Sequence, residues 1–495
     1  MASIHSSPSR QLTPSSSREN LVAAPQNTMP SIPPLPPAAP QTADAPLAVL
    51  PLHMILRSLL TTTVSSSPVL LPPSLAIMSL LANTTLAPLN PDHNPALRWF
   101  MKKTFYAQFC AGETPDEVAE TIARLKAIGF TGVILGYAKE VVLTEEQTRE
   151  LASCGDGEEA EACIRDEITP WARGTKETVD LASPGDFVAL KFTGAGRQAL
   201  FSLSERLPPS EALAQAIDEV CARAATRGVR LLFDAEQAAV QDGIDDWTLE
   251  YMEKFNTNPG RATIYGTYQA YRKSTPHTLA THLAAAQQNG FTLGVKLVRG
   301  AYLGSDPREL FHDTKAETDE AYNSIAQSLL RREWGPVLRP ADVGEKIETT
   351  GFPRVSMVLA SHNAESVRRG RAICDAGEAG IQVAFGQLQG MADEVSCELV
   401  SATKAGPRGS APEEVAVAER ADGMETEADA VAGWRARNAR TLDAYKYLVW
   451  GSTGDCMKYL LRRAHENRDA VQRTRAGRDA MWTEVVRRTR KALAL

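Results

Sequence analysis

The chain has 495 residues, 43% of them hydrophobic, enough for one large core or two to three ordinary domains. Its net charge is −7 at pH 7, which argues against a general nucleic-acid binder, because that needs a basic face. The seven cysteines are scattered and none forms a CxxC pair, which disfavours a disulfide framework or a zinc site and fits a reducing compartment.

Residues 1–45 are rich in Ser, Pro and Ala and hold only two acids, Glu19 and Asp44, so this segment is expected to be disordered. An acid-poor, Ser-rich leader is compatible with a mitochondrial transit peptide, although its arginines are few. Residues 46–128 read as an N-terminal helical segment. Their apolar stretch, roughly 46–90, is interrupted by prolines, His53 and Arg57, which disqualifies it as a membrane span but leaves peripheral contact open.

From about residue 100 short β-rich runs alternate with amphipathic stretches. The runs cover 131–138, 187–193, 229–235, 263–269, 292–298, 355–361, 381–387 and 444–450. Helical sequence at 115–129, 209–227, 275–289 and 313–332 lies beside them. Repeated βα units imply a parallel sheet with right-handed crossovers, and eight of them predict an α/β fold of the closed (β/α)8 type over 129–470. Connections 151–186, 333–352 and 401–440 are longer than such a fold needs, and 401–440, rich in Gly, Ala and Glu, reads as a mobile insertion. Residues 471–495 form a C-terminal helical tail.

In such a barrel chemistry collects at the carboxyl ends of the strands. Seven of the eight runs carry polar residues there: Lys191; Asp234 and Glu236; Gln269; Lys296 and Arg299; Ser361, His362 and Asn363; Gln387; Tyr445 and Tyr447. Singly each has a plain explanation, such as a helix cap or an edge lysine. Together they fit a polar ligand over the barrel mouth. The run "YLLRRAHEN" (459–467) follows the last strand and sets Arg462 and Arg463 beside three apolar residues, with Glu466 three and four positions on. A solvent-facing ion-pair helix is one reading. The other is that the arginines face inward, where burial demands an anionic partner such as a substrate carboxylate.

The runs "LLFDAEQ", "TYQAYRK", "VKLVRGAYL", "TKAETDEAYN", "SHNAES", "FGQLQGMADEVS" and "YLLRRAHEN" together resemble the proline dehydrogenase (proline oxidase) family across roughly 100–470, in its monofunctional eukaryotic, fungal form. That resemblance implies a distorted (β/α)8 barrel with non-covalent FAD. It implies oxidation of L-proline to 1-pyrroline-5-carboxylate, transfer of electrons to ubiquinone, and work at the mitochondrial inner membrane. By motif, Arg462 and Arg463 hold the proline carboxylate, with Lys191 and Asp234 as charged partners, and Glu466 orients the arginines near the flavin. Leu297, Tyr302 and Tyr447 wall the ring; Gln269, Lys296, Ser361, His362 and Asn363 contact the flavin. Lys296 and Ser361 stand where many relatives carry Arg and Thr, changes that keep the charge and the hydroxyl. A sister activity on 4-hydroxyproline exists, and an aromatic Tyr447 would crowd a ring hydroxyl.

Three rival readings arise. Gly194-x-Gly196-x-x-Ala199 after a strand formally satisfies a dinucleotide fingerprint for an NAD-dependent dehydrogenase, but Asp234 lies beyond the usual spacing of roughly 20 residues. A barrel with a decayed site conflicts with the full set of charges. A metal hydrolase would draw on His312, Asp313 and His362, yet no HxH or HExxH pair occurs.

Overall fold

The protein is described by a computed structural model over residues 45–84, 86–138, 157–341, 351–404, 442–466 and 471–493, with the backbone alone for Lys404, His465, Glu466 and residues 471–473. The leader, most of 401–440 and the Glu466 side chain therefore lie outside the described residues.

Three helices come first, α1 (Leu52–Ser65), α2 (Leu71–Asn83) and α3 (Pro95–Met101). Helix α4 (Pro115–Ile128) shows how local chemistry fixes an element. Thr114 caps it by accepting from the Glu117 N–H, Pro115 opens it, and Gly129 closes it at φ 117°, a left-handed conformation suited to glycine. The barrel follows: β1 (Gly132–Tyr137), α5 (Thr169–Leu181), β2 (Phe187–Leu190), α6 (Arg197–Ser204), α7 (Glu211–Thr226), β3 (Arg230–Phe233) and α8 (Ala238–Phe255). It continues with β4 (Ile264–Gln269), α9 (Thr275–Asn289), β5 (Leu293–Val298), α10 (Lys315–Arg331), β6 (Val355–Ala360), α11 (Ala364–Asp375), β7 (Val383–Leu388), α12 (Asp393–Lys404), β8 (Ala444–Trp450) and α13 (Thr453–Glu466). Helix α14 (Val471–Ala492) ends the described chain.

All eight strands are parallel and close in sequence order, β1 pairing with β8 through Gly132↔Tyr445 to Tyr137↔Trp450. The expected barrel is present, with every β-rich run supplying one strand. One expectation is corrected. Stretch 151–186 is not simply an over-long connection, because it contains α5, the helix of the first βα unit.

Strand alternation builds two cores. Ile134, Phe187, Leu232, Tyr265, Val358, Ala384 and Tyr445 fill the barrel interior. Val133, Leu135, Leu231, Leu297, Leu359 and Phe385 face the helices. Each such burial stabilises by roughly 1.5–3 kcal/mol before the entropy of ordering is subtracted.

The N-terminal helices and the tail are not separate appendages. Ala82 of α2 and Met101 of α3 pack with Met457 and Leu461 of α13, flanked by Leu75, Met78 and Leu81. Arg488 of α14 donates to the carbonyls of Leu47 and Leu50, while the buried carboxylate of Glu484 accepts from Arg487 and Arg488. The chain folds back so that α13 is covered by its own beginning.

Candidate active site at the barrel mouth

Asp234 stands one residue beyond β3 and is 7% exposed. Its N–H donates to Leu190 O, which fixes the carboxylate against the end of β2. Lys296, inward on β5, approaches Asp234 Oδ1 at 2.5 Å, and Lys191 just after β2 lies 3.6 Å from Oδ2. The Tyr447 hydroxyl donates to the same Oδ2 at 3.4 Å, and the Lys296 ammonium lies 5.5 Å from the Tyr447 ring centre.

Burial alone would push the Asp234 carboxyl up. The Lys296 and Lys191 ammoniums and the Arg463 guanidinium outweigh it and hold the group below the usual carboxylate range. Arg463 is thus electrostatically coupled to Asp234 across the mouth. Burial, reinforced by the Asp234 charge, pushes the Tyr447 phenol well up, so this hydroxyl stays a neutral donor.

Arg463 also lines a small cavity with Phe109, Leu388, Gln389, Met391, Tyr447, Val449, Tyr459 and Leu460. Its guanidinium sits 5.5 Å from the Tyr459 ring centre. The inward reading of "YLLRRAHEN" therefore holds for Arg463; Arg462 is partly buried on the same turn. Tyr447 is pinned from behind: a Cβ at Gly136 would come within 2.8 Å of its hydroxyl oxygen, so only glycine lets the ring lie there.

A second polar set lies on the β5–β6 side. Arg299 donates to Asp319 at 2.7 Å, to Ser361 Oγ at 2.6 Å and to Ser366 Oγ at 2.9 Å. Asn363 caps α11 by accepting from Ser366 N–H, and its amide reaches Asp319 at 3.5 Å. His362 Nε2 accepts from Leu388 N–H at 3.0 Å, tying this set to the cavity wall. Gln269 ends β4 and is buried.

Lys191, Asp234, Lys296, Tyr447 and Arg463 are brought together, with Ser361, His362 and Asn363 alongside. Leu297 is not. Its side chain belongs to the outer layer between barrel and helices, since it follows the inward Lys296 and alternation turns it away. Leu388, an apolar residue that nothing singles out inside "FGQLQGM", lines the cavity in its place. Tyr302 sits partly buried on the loop after β5, its N–H donating to the Tyr271 hydroxyl. Gly300 makes that possible, because its φ of 141° and missing Cβ leave room for the Tyr271 ring.

Two strand-end residues serve the scaffold instead. Tyr445 lies at the opposite end of the barrel, where its hydroxyl accepts from Arg230 at 2.7 Å. Glu236 accepts from both the N–H and the hydroxyl of Thr193, joining two loops. The glycine fingerprint is likewise disposed of. The Glu167 carboxylate accepts from Arg197 N–H at 2.6 Å and abuts Gly196, taking the helix amino end that a pyrophosphate would need.

The arrangement also suits a polar planar cofactor. Gln269 Nε2, Gln387 Oε1 and Gln389 Oε1 are buried without a hydrogen-bond partner among the described residues, a donor and two acceptors of the kind such a ring engages.

Comparison with known proteins identifies the family. The family profile described as proline dehydrogenase matches residues 118–476. A probable mitochondrial proline dehydrogenase of Schizosaccharomyces pombe is 28% identical over 480 residues, 88% of each chain. Human mitochondrial proline dehydrogenase 1 is 30% identical over 59% of this chain and 41% of its own. Human hydroxyproline dehydrogenase is 26% identical over 79% of this chain and 82% of its own. Among solved structures, proline utilization A of Bdellovibrio bacteriovorus, inactivated by N-propargylglycine, aligns with a TM-score of 0.55. It is 16% identical, over 84% of this chain and 41% of that one, a likeness of fold. With a matching profile across most of its length and the barrel that goes with it, the chain belongs to the proline dehydrogenase family of oxidoreductases.

Proposed function

We propose that this enzyme oxidises L-proline to 1-pyrroline-5-carboxylate, with non-covalent FAD as cofactor and ubiquinone as acceptor, at the matrix face of the mitochondrial inner membrane. The observation that carries the reading is the convergence of Lys191, Lys296 and Arg463 on one buried carboxylate, Asp234. Cations gathered in this way suit an anionic ligand, and an amino-acid carboxylate fits. Arg463, with Arg462 and Lys191, grips it through charge-assisted bonds worth roughly 1.5–3 kcal/mol each. Tyr447 and Leu388 wall the ring beside that grip, and Tyr302 and Glu466 complete the site as rim and arginine partner.

FAD when bound supplies the two-electron acceptance of the reaction. Lys296, Gln269, Gln387 and the Ser361–Asn363 turn are the residues that would hold it. The chain's own contribution is position and charge. Removal of hydride from the carbon beside the ring nitrogen requires a neutral amine. The cations around Asp234 disfavour a second positive charge and so lower the pKa of a bound ammonium, which removes the need for a dedicated base.

Hydroxyproline is the second reading, supported by the hydroxyproline dehydrogenases among the relatives. Tyr447, fixed by Asp234 and Gly136, narrows the ring wall and favours proline. Anaerobic titration of the purified protein tests both: proline bleaches the flavin absorbance and hydroxyproline does so only weakly. A protein that carries no flavin, or whose flavin ignores proline, overturns the proposal.

A further inference from the structure

We propose that the outward face of α2 and α3 is a docking surface for an anionic lipid bilayer, seating the barrel mouth beside the membrane. This rests on the membrane-associated reading above and assigns it to particular residues.

Helix α2 is apolar on both sides. Its inner side, Leu75, Met78, Leu81 and Ala82, packs on α13. Its outer side, Pro73, Ala76, Ile77 and Leu80, repeats at helical spacing and is exposed, Ile77 at 58% and Leu80 at 57%. Val69 and Leu70 extend this surface before the helix, Leu86 and Leu89 after it, and Trp99 and Phe100 add two exposed aromatics at 64% and 55%. A helix apolar all round belongs in a core or against lipid, and here the fold covers one side.

Charge identifies the occupant. In a chain with 23% charged residues, none stands between Arg57 and Asp92. Asp92 turns inward, its carboxylate accepting from Gly454 N–H at 2.9 Å. Along α3 and the turn after it, residues 95–103, the exposed charged residue is Lys103, a cation. The net charge of −7 is carried elsewhere: residues 58–91 hold no charge, and the exposed Lys103 sets one cation at the edge of the apolar face. Exposed Trp and Phe at the border of an apolar surface suit the headgroup level.

The helix lies in the interface and does not cross it. Its 13 residues span about 20 Å, short of the roughly 30 Å hydrocarbon core. Because its inner side packs on the helix that carries Arg463, docking leaves the mouth roughly one helix diameter, about 10 Å, from the lipid. An acceptor dissolved in the bilayer then has a short way to the site.

The test is sedimentation of the full-length protein with phosphatidylcholine vesicles, with and without phosphatidylglycerol. The wild type is expected to sediment with the anionic vesicles. The double variant Ile77→Asp/Leu80→Asp is expected to lose binding roughly tenfold or more, while melting temperature and proline oxidation with a soluble dye stay unchanged. Trp99→Phe provides a variant that still folds and binds: brominated lipid quenches wild-type tryptophan fluorescence and quenches this variant less. Equal sedimentation of wild type and double variant overturns the proposal, as do no sedimentation of the wild type and equal quenching in Trp99→Phe. A wild-type dimer that the double variant converts to monomer, with vesicle binding unchanged, also overturns it in favour of a second copy. Dye-linked oxidation reads the proposed activity separately, so the two readings fail independently.

Discussion

The two ends of the barrel bury charge in opposite ways. At the bottom Asp186 accepts from Lys126 at 3.0 Å and from the N–H groups of Val133 and Ser183. Arg230 lies 3.6 Å from the Phe187 ring centre and donates to the Tyr445 hydroxyl and to Gly185 O. Packed by Phe187, Tyr265 and Tyr445 in edge-on contacts, that end holds one charge in an ion pair, Asp186 with Lys126, and the other, Arg230, against aromatic rings and neutral oxygens. At the mouth Asp234 is shared among Lys296, Lys191 and Arg463, and the amides of Gln269, Gln387 and Gln389 each keep a buried atom without a hydrogen-bond partner among the described residues. Charges spread over separate local partners hold a scaffold together; several cations gathered on one carboxylate make a place for a ligand. The difference separates stability from function within one set of eight strands.

Asp234→Ala should have the largest effect, because it leaves Lys296 and Lys191 without their shared counter-ion. The expected loss is about 3–5 kcal/mol of stability in denaturant titration, together with proline turnover. Its acid limb sharpens this. Asp234 titrates below its unfolded value, so its contribution is full above the ordinary carboxylate range and fades as pH falls through that range and below. Asp234→Asn should flatten that part of the stability–pH curve, and an unaltered curve would count against the coupling.

Arg230→Met breaks the other side of the comparison. It should cost about 2–3 kcal/mol through the lost ring contact and hydrogen bonds. The proline KM should stay at the wild-type value, and a raised KM would mean that the bottom is not a pure scaffold. Arg463→Met should do the reverse, raising KM at least tenfold, about 1.4 kcal/mol, with FAD still bound and the melting temperature intact. If KM is unaffected by this change and by Arg462→Met, the carboxylate grip is wrong. Tyr447→Phe is the mildest, at roughly 0.5–1 kcal/mol, since it removes only the long bond to Asp234 and keeps the ring wall. Preference for proline over hydroxyproline should survive it, as measured by the ratio of kcat/KM values.

Much of this site is legible in the amino-acid sequence. Lys191, Asp234, Lys296, Tyr447 and Arg463 all sit where strand-end logic and motif likeness put them. What misleads is local geometry. Leu297 follows the inward Lys296 and so faces the helices, a one-residue difference that the motif does not reveal. Tyr445 and Tyr447 share the inward face of β8, yet two residues of rise along the strand send one to the bottom and the other to the mouth. Phe109 and Leu388 carry no charge to mark them, and Phe109 comes from a segment far away in the chain.

Sequence alone determined the elements and their order, because periodicity, caps and turn residues act over a few neighbouring positions. Eight β-rich runs therefore became eight strands, and Thr114, Asn363 and Gly129 bound their helices through contacts within a single turn. Tertiary structure alone decided which charges share a volume and which helix side remains open. Closure of the barrel brings Lys191, Asp234 and Lys296 from three strands onto one centre, and the packing of α2 on α13 leaves the opposite side of an evenly apolar helix exposed. Both are long-range outcomes, set by how hydrophobic faces find partners and not by any residue's neighbours in the chain.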